Sequence, residues 1–220
     1  MGASPTGRIG MKRQMIDAMS LDGRRKTRAG ALMNSSVDLI ARARRGDDDA
    51  FRLIFDRYAR PVSSFIYDIV GQREQAEELT QKTFVRAYRN LKGLRDEQRL
   101  STWLFGIAKN VARESIRTTI KDRMKVAIDD HPLVELSDDR PTPDGTLLNN
   151  ELNRIIHDAI GDLDEDKRLV FSLKVLHQKS YEDIAEITGF SIPKVKTDLH
   201  RARAEMRRRI RPYLDTSAAS

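Results

Sequence analysis

The sequence predicts an all-α protein: two small helical domains joined by a flexible acidic linker. Three observations lead there. Apolar residues recur at helical spacing along most of the chain, strand-like alternation is nearly absent, and the periodicity lapses in the middle into DDHPLVELSDDRPTPDG. With 220 residues, 39% hydrophobic and 6% aromatic, the chain can fill compact cores but not one large one.

Taken in order, residues 1–33 carry seven basic and two acidic side chains with little hydrophobicity. They read as a basic, disordered extension. A first helical domain is expected over 34–122, built from VDLIARARRG, DDAFRLIFDRYARPVSSFIYDIVG, EQAEELTQKTFVRAYRNL and STWLFGIAKNVARESIRT. Gly46 and Gly71 should end helices, and Pro61 should kink or divide the second, since it lacks an N–H and crowds the preceding turn. KGLRDEQRL forms a short polar connection before Ser101. The linker spans 123–146, where six acidic residues between Asp129 and Asp144 face only Arg140 and where Pro132, Pro141, Pro143 and Gly145 block regular structure. A second helical domain is expected over 147–214. It opens on an apolar stripe of Leu148, Leu152, Ile155, Ile156, Ala159 and Ile160. Residues 215–220 form a frayed tail.

The strongest local pattern is SYEDIAEITGFSIPKVKTDLHRARAEM. Ser180 with Asp183 makes a capping-box start, Ala185 is small where two helices cross, and Gly189 supplies the turn. Ser191 can cap the next helix, with Pro193 in its first turn. Ile192, Val195, Leu199, Ala202 and Met206 should be buried. Thr197, His200, Arg201, Ala204 and Arg208 then face outward, flanked by Lys194 and Lys196. A basic helix that begins with small or polar residues suits the major groove, with cations on phosphates and the first side chains on base edges. If about six phosphates are neutralised, log affinity should fall with log salt at a slope near −5.

Two faces of the first domain carry further signals. In ELTQKTFVRAYRN, Leu79, Thr83, Phe84, Ala87, Tyr88 and Leu91 gather on one flank. Glu78, Lys82, Val85 and Arg89 line the other, with an apolar Val85 among charges. In STWLFGIAKNVARESIRT the buried stripe is Leu104, Ile107, Ala108 and Val111. The far side collects Thr102, Trp103, Gly106, Lys109, Asn110, Arg113 and Arg117, an aromatic among cations and an amide that suits unpaired DNA.

The net charge of +7 favours a polyanionic partner. Without cysteine the chain has no disulfide, zinc–thiolate site or redox thiol. No apolar run resembles a membrane span or secretory core, so a cytoplasmic protein is expected, with no direct membrane insertion. Catalysis is not expected either. His131, His157, His177 and His200 are scattered, no glycine-rich phosphate loop exists, and no metal-ligand frame or cofactor site is discernible.

The order VDLIARARRGDDDAFRLIFDRYA, QAEELTQKTFVRAYRNL, STWLFGIAKNVAR, acidic linker, SYEDIAEITGFSIPKVKTDLHRARAEM resembles an extracytoplasmic-function (ECF) sigma factor of the sigma-70 family, over about residues 36–212. The resemblance implies a promoter-specificity subunit with no small-molecule substrate. Its partners would be core RNA polymerase, promoter DNA and an anti-sigma factor. It also implies residue roles. Glu77, Glu78, Gln81, Lys82, Val85 and Arg89 would bind core polymerase. Lys92, Arg95, Arg99, Thr102, Trp103, Lys109, Asn110, Arg113 and Arg117 would open and hold the minus-10 element. Ser191, Pro193, Lys194, Lys196, Thr197, His200 and Arg201 would read the minus-35 element. Three departures stand out: Lys82 follows the core-binding glutamine where the family has an acid, Asp198 replaces an arginine, and the connection reads RDEQRL. Asp198, at the edge of the outward arc, is expected to pair with Lys194 or Arg201. The alternative is a stand-alone helix-turn-helix regulator that uses only the second domain on DNA and whose first domain dimerises through the Val85 side.

Overall fold

The computed structural model describes residues 36–126 and 155–217. The basic extension, most of the linker, His131, Leu148 and Leu152 lie outside the described residues.

Among the described residues the first half contains four helices. α1 (Ser36–Arg44) leads through Gly46 into α2 (Asp48–Val70), then α3 (Arg73–Asn90) and, after two short 3-10 turns at Leu91–Gly93 and Glu97–Arg99, α4 (Leu100–Val126). Asp47 caps α2, its carboxylate accepting from the Ala50 N–H at 3.0 Å. Gly71 ends it in a left-handed conformation with φ 73°, where a side chain would be strained. Pro61 does not divide this helix, contrary to the sequence expectation: α2 runs unbroken for 23 residues. Pro61 is exposed, while Phe51, Ile54 and Phe55 before it and Val62, Phe65, Ile66 and Ile69 after it are buried and hold both ends of α2 to the same core. Packing of that arc outweighs the one backbone hydrogen bond that proline cannot make.

α1 packs on α2, and α2, α3 and α4 pack on one another. Edge-to-face rings fix the centre, Phe55 against Phe84 at 4.8 Å and Phe51 against Tyr88 at 5.0 Å between centroids. Leu79, Thr83, Phe84 and Ala87 of α3 and Leu91 just after it are buried, with Tyr88 half-buried. Leu104, Ala108 and Val111 of α4 are buried as the spacing predicts, Ile107 half so, and Phe105 and Ala112 widen the stripe. Arg44 ties α1 to the connection, reaching Glu97 at 2.7 Å and the carbonyl oxygens of Leu91 and Leu94.

The second half begins with α5 (155–161), followed by α6 (Glu165–Phe171), which loosens into a π turn at Ser172–Leu176. α7 (Tyr181–Thr188) and α8 (Ile192–Ser217) complete it, α8 packing on both α6 and α7. The capping box is formed: the Asp183 N–H donates to Ser180 Oγ at 3.0 Å, and Asp183 Oδ2 accepts from the Ser180 N–H at 3.3 Å. Gly189, at φ 79°, makes the turn. Val195, Leu199, Ala202 and Met206 are buried and Ile192 half-buried.

The halves meet. α7 lies against α4, while α6 and the π turn lie against α2. At this seam Asp68 is 5% exposed. Its Oδ2 accepts from Ser172 Oγ at 2.5 Å and stands 2.9 Å from His177 Nε2. The rings of Phe65 and Phe105 flank His177 at 5.5 and 5.3 Å.

Candidate nucleic-acid interface

On α8, burial of Val195, Leu199, Ala202 and Met206 turns Lys196, Thr197, His200 and Arg201 to the surface. Ser191 and Pro193 are exposed at its start, and Ser191 Oγ accepts from the Lys194 N–H at 3.4 Å. These six positions form one polar, cationic face around the helix N-terminus, where backbone donors and the helix dipole also favour an anion. Lys194 behaves differently. Its ammonium reaches Asp198 at 2.5 Å and Asp166 at 3.0 Å and sits 4.4 Å over the Phe190 ring. Hydrogen bonds to Asp198 and then to Asp166 hold its pKa above the usual lysine value. Asp198 pairs with Lys194 as expected, but it is 7% exposed and not at the edge of the outward arc. The contact with Lys194 lets this carboxylate sit so deep.

In the first half, Lys92, Arg95, Arg99, Asn110 and Arg117 are exposed, while Trp103, Lys109 and Arg113 are half-buried. Trp103 packs partly against the core. Thr102, expected on the open side of α4, is 6% exposed. Its hydroxyl donates to Asp183 Oδ1 at 2.8 Å, so α7 covers it. Burial, and then neighbouring Arg113, lowers the Lys109 pKa. An anion arriving there would favour the charged form and offset the repulsion from Arg113.

The seam engages several of these groups. Arg99 pairs with Glu186 and stands 3.7 Å from Asp183. Arg113 contacts Glu165 at 2.5 Å and Asp166 at 3.2 Å. Lys179 donates to Ser101 Oγ at 2.6 Å and lies 4.2 Å over the Phe105 ring, and burial lowers its pKa. Burial works against the charge on Asp183. Hydrogen bonds from Ser180 and Thr102 and the charge of Arg99 outweigh it and hold the carboxyl below its usual pKa.

Along α3, Glu77, Glu78, Lys82 and Arg89 are exposed and Gln81 and Val85 half-buried. Glu78 pairs with Lys82 at 2.6 Å, and Arg73 with Glu77 at 3.3 Å. The row is a charged face with a recessed apolar centre.

Sequence reasoning missed Asp68, Ser172, His177, Glu165, Asp166 and Glu186 as partners across the seam. For Asp68 a signal was present: an acid beside Phe65, Ile66 and Ile69 on an apolar helix needs a buried partner. Ser172 and His177 both address Asp68 Oδ2. The histidine therefore does not stand between hydroxyl and carboxylate, as it must to activate a nucleophile. Among the described residues no group of three or more metal-ligating side chains is placed to hold an ion. Nor is any described helix long and apolar enough to cross a membrane.

Two family models match the chain, sigma-70 region 2 over residues 54–121 and sigma-70 region 4 over residues 153–206. The chain is 32% identical over 181 residues to the ECF RNA polymerase sigma-E factor of Haemophilus influenzae, covering 80% of this chain and 95% of that one. It is 30% identical over 177 residues to the ECF RNA polymerase sigma factor SigW of Bacillus subtilis, covering 78% and 95%. Among solved structures it is similar to the sigma factor RpoE of Bartonella quintana, in complex with the anti-sigma factor NepR. That match has TM-score 0.61 and 24% identity over 73% of this chain and 96% of that one. CnrH, in complex with the cytosolic domain of CnrY, gives TM-score 0.58 and 22% identity over 83% and 99%. Region 2 and region 4 thus fall on the two helical halves, and the chain belongs to the ECF sigma factors of the sigma-70 family, non-catalytic subunits through which RNA polymerase initiates transcription.

Proposed function

We propose that the exposed faces of α3, α4 and α8 divide the work of initiation. The outer row of α3, Glu77, Glu78, Gln81, Lys82, Val85 and Arg89, docks on core RNA polymerase. The cations and Trp103 of the connection and α4 hold the melted minus-10 strand. The start of α8 reads the minus-35 duplex. Residues 34–122 and 147–214 act as the two modules and 123–146 as the linker between them. A sigma factor acts where the polymerase is, so the protein works in the cytoplasm, and an anti-sigma factor is its regulatory partner, as in the complexes of its structural neighbours.

The observation that carries this reading is the sidedness of α8. Val195, Leu199, Ala202 and Met206 anchor it while Lys196, Thr197, His200 and Arg201 stay outside, the disposition a major-groove helix requires. Positioning by phosphate contacts comes from lysine and arginine, and base discrimination from the first turns.

The test is run-off transcription with purified core polymerase on sheared genomic DNA, with start sites sequenced. Defined start sites sharing two upstream elements are expected, and tight core binding with no initiation would sink the proposal. Lys82→Glu should change core affinity more than Lys82→Ala changes fold stability. Equal core binding by wild type and both variants would return the α3 row to solvent. Size-exclusion mass separates the alternative, because a dimerising regulator would be a dimer without polymerase.

A further inference from the structure

At the start of α8 one lysine has its partners within its own domain. The Lys194 ammonium stands 2.5 Å from Asp198 Oδ2 and 3.0 Å from Asp166 Oδ2, and lies 4.4 Å over the Phe190 ring. Asp166 belongs to α6, Phe190 to the turn before α8, and Asp198 to α8 one turn further on. Three elements of region 4 therefore converge on one nitrogen. An ammonium has three donors, and two carboxylates and a ring face account for them. Asp198 is 7% exposed. Drawing Lys194 away would strand that carboxylate, which costs more than contact with one solvated phosphate contributes. Lys196, by contrast, is exposed on the outward face.

We infer that Lys194 is a positioning residue and not a DNA contact: braced by Asp166 and Asp198, it pins the first turn of α8 to α6, and sequence reading at the minus-35 element falls to Lys196, Thr197, His200 and Arg201. The inference rests on the minus-35 assignment of the proposed function and takes one residue out of it. Two consequences follow for recognition. One cation between two carboxylates leaves negative charge beside the reading face, so Lys194 neutralises no phosphate and the sequence-independent share of the affinity is smaller. The angle at which α8 leaves the turn is set by a fixed contact, so its side chains meet the base edges in one register. Every member of the brace lies in region 4, so it moves with that module as a unit.

The test uses the full chain in complex with core polymerase. The probes are a promoter duplex recovered by the run-off transcription and a mixed-sequence duplex of equal length, each titrated across a range of salt. Lys194→Met should lower selectivity for the promoter duplex at least about threefold, while the slope of log affinity against log salt keeps its wild-type value. Because that change leaves Asp198 unpaired, Lys194→Met with Asp198→Asn repeats the measurement with a neutral pair, and the same outcome is expected. Lys196→Met should do the reverse, weakening both duplexes alike and making the slope shallower by about 0.9. Asp166→Asn with Asp198→Asn frees Lys194, so the slope should steepen by about 0.9, and adding Lys194→Met should cancel the change. A shallower slope with equal loss on both duplexes in Lys194→Met would place the lysine on phosphate and overturn the inference. Selectivity and slope both unmoved by Lys194→Met would overturn it too, as would a steepening that survives loss of the lysine. If Lys196→Met and Arg201→Met leave both readouts unmoved, the minus-35 assignment fails instead.

Discussion

Thr102 acquires its role from a helix more than eighty residues away. Its hydroxyl is one of the donors that keep the Asp183 carboxyl below its usual pKa, although burial pushes the other way. A carboxyl depressed in the folded state contributes stability that is complete above the unfolded value and is lost as pH falls through the folded value. Thr102→Val keeps the shape and removes the donor. The Asp183 titration, followed by carboxyl carbon resonances, should shift toward the ordinary value, and the acid unfolding midpoint should move to higher pH. Stability at neutral pH should drop by about 1 kcal/mol. An unmoved Asp183 midpoint would mean that Thr102 does not donate to it in solution. Helical spacing placed Thr102 on the far side of α4, and that placement was correct within its own domain. The covering partner belongs to α7, and no periodicity within α4 encodes it.

At the scale of helices, two positions separate local backbone preference from packing. Pro61 sits inside α2, with its ring exposed and the helix continuous around it. Pro61→Ala should restore a backbone donor and stabilise the protein by up to about 3 kcal/mol in chemical denaturation. No gain would show that proline costs nothing at this site. Gly189 has a left-handed φ of 79° and open space where a Cβ would sit. Gly189→Ala should therefore cost about 1–2 kcal/mol from backbone strain alone. Most of the elements were legible beforehand because their signals are local: glycine at the ends, the Ser180–Asp183 box, and stripes such as Leu104, Ala108 and Val111. Pro61 was overread for the opposite reason. Its penalty is a local quantity, whereas the burial of Phe51, Ile54, Val62, Phe65, Ile66 and Ile69 that overrides it comes from packing against other helices.

In the whole molecule, the exposed faces of α3 and α8 were readable from composition and spacing, since a solvated row needs no partner to be recognised. The seam was not, because it joins residues separated by the entire linker: Asp68 with Ser172, Arg99 with Glu186, Arg113 with Asp166. Charge patterning showed a basic chain without showing which cations its own acids neutralise. Phe105 lies where that closure is most sensitive to temperature. It is 2% exposed, packed on Phe65, edged by His177 and capped by the Lys179 ammonium. Parting the halves wets this ring, and hydrating apolar surface raises heat capacity. Apolar contact weakens on cooling, and the desolvation penalty of ion pairs falls on warming. Both terms have the same sign, so warmth should favour the closed form up to unfolding and cold should favour the open one. The separation of dyes on Pro61→Cys and Leu176→Cys, followed across temperature, should increase as the sample is chilled, and a flat curve would deny the coupling. A subunit built this way would answer to a thermometer as well as to a partner protein.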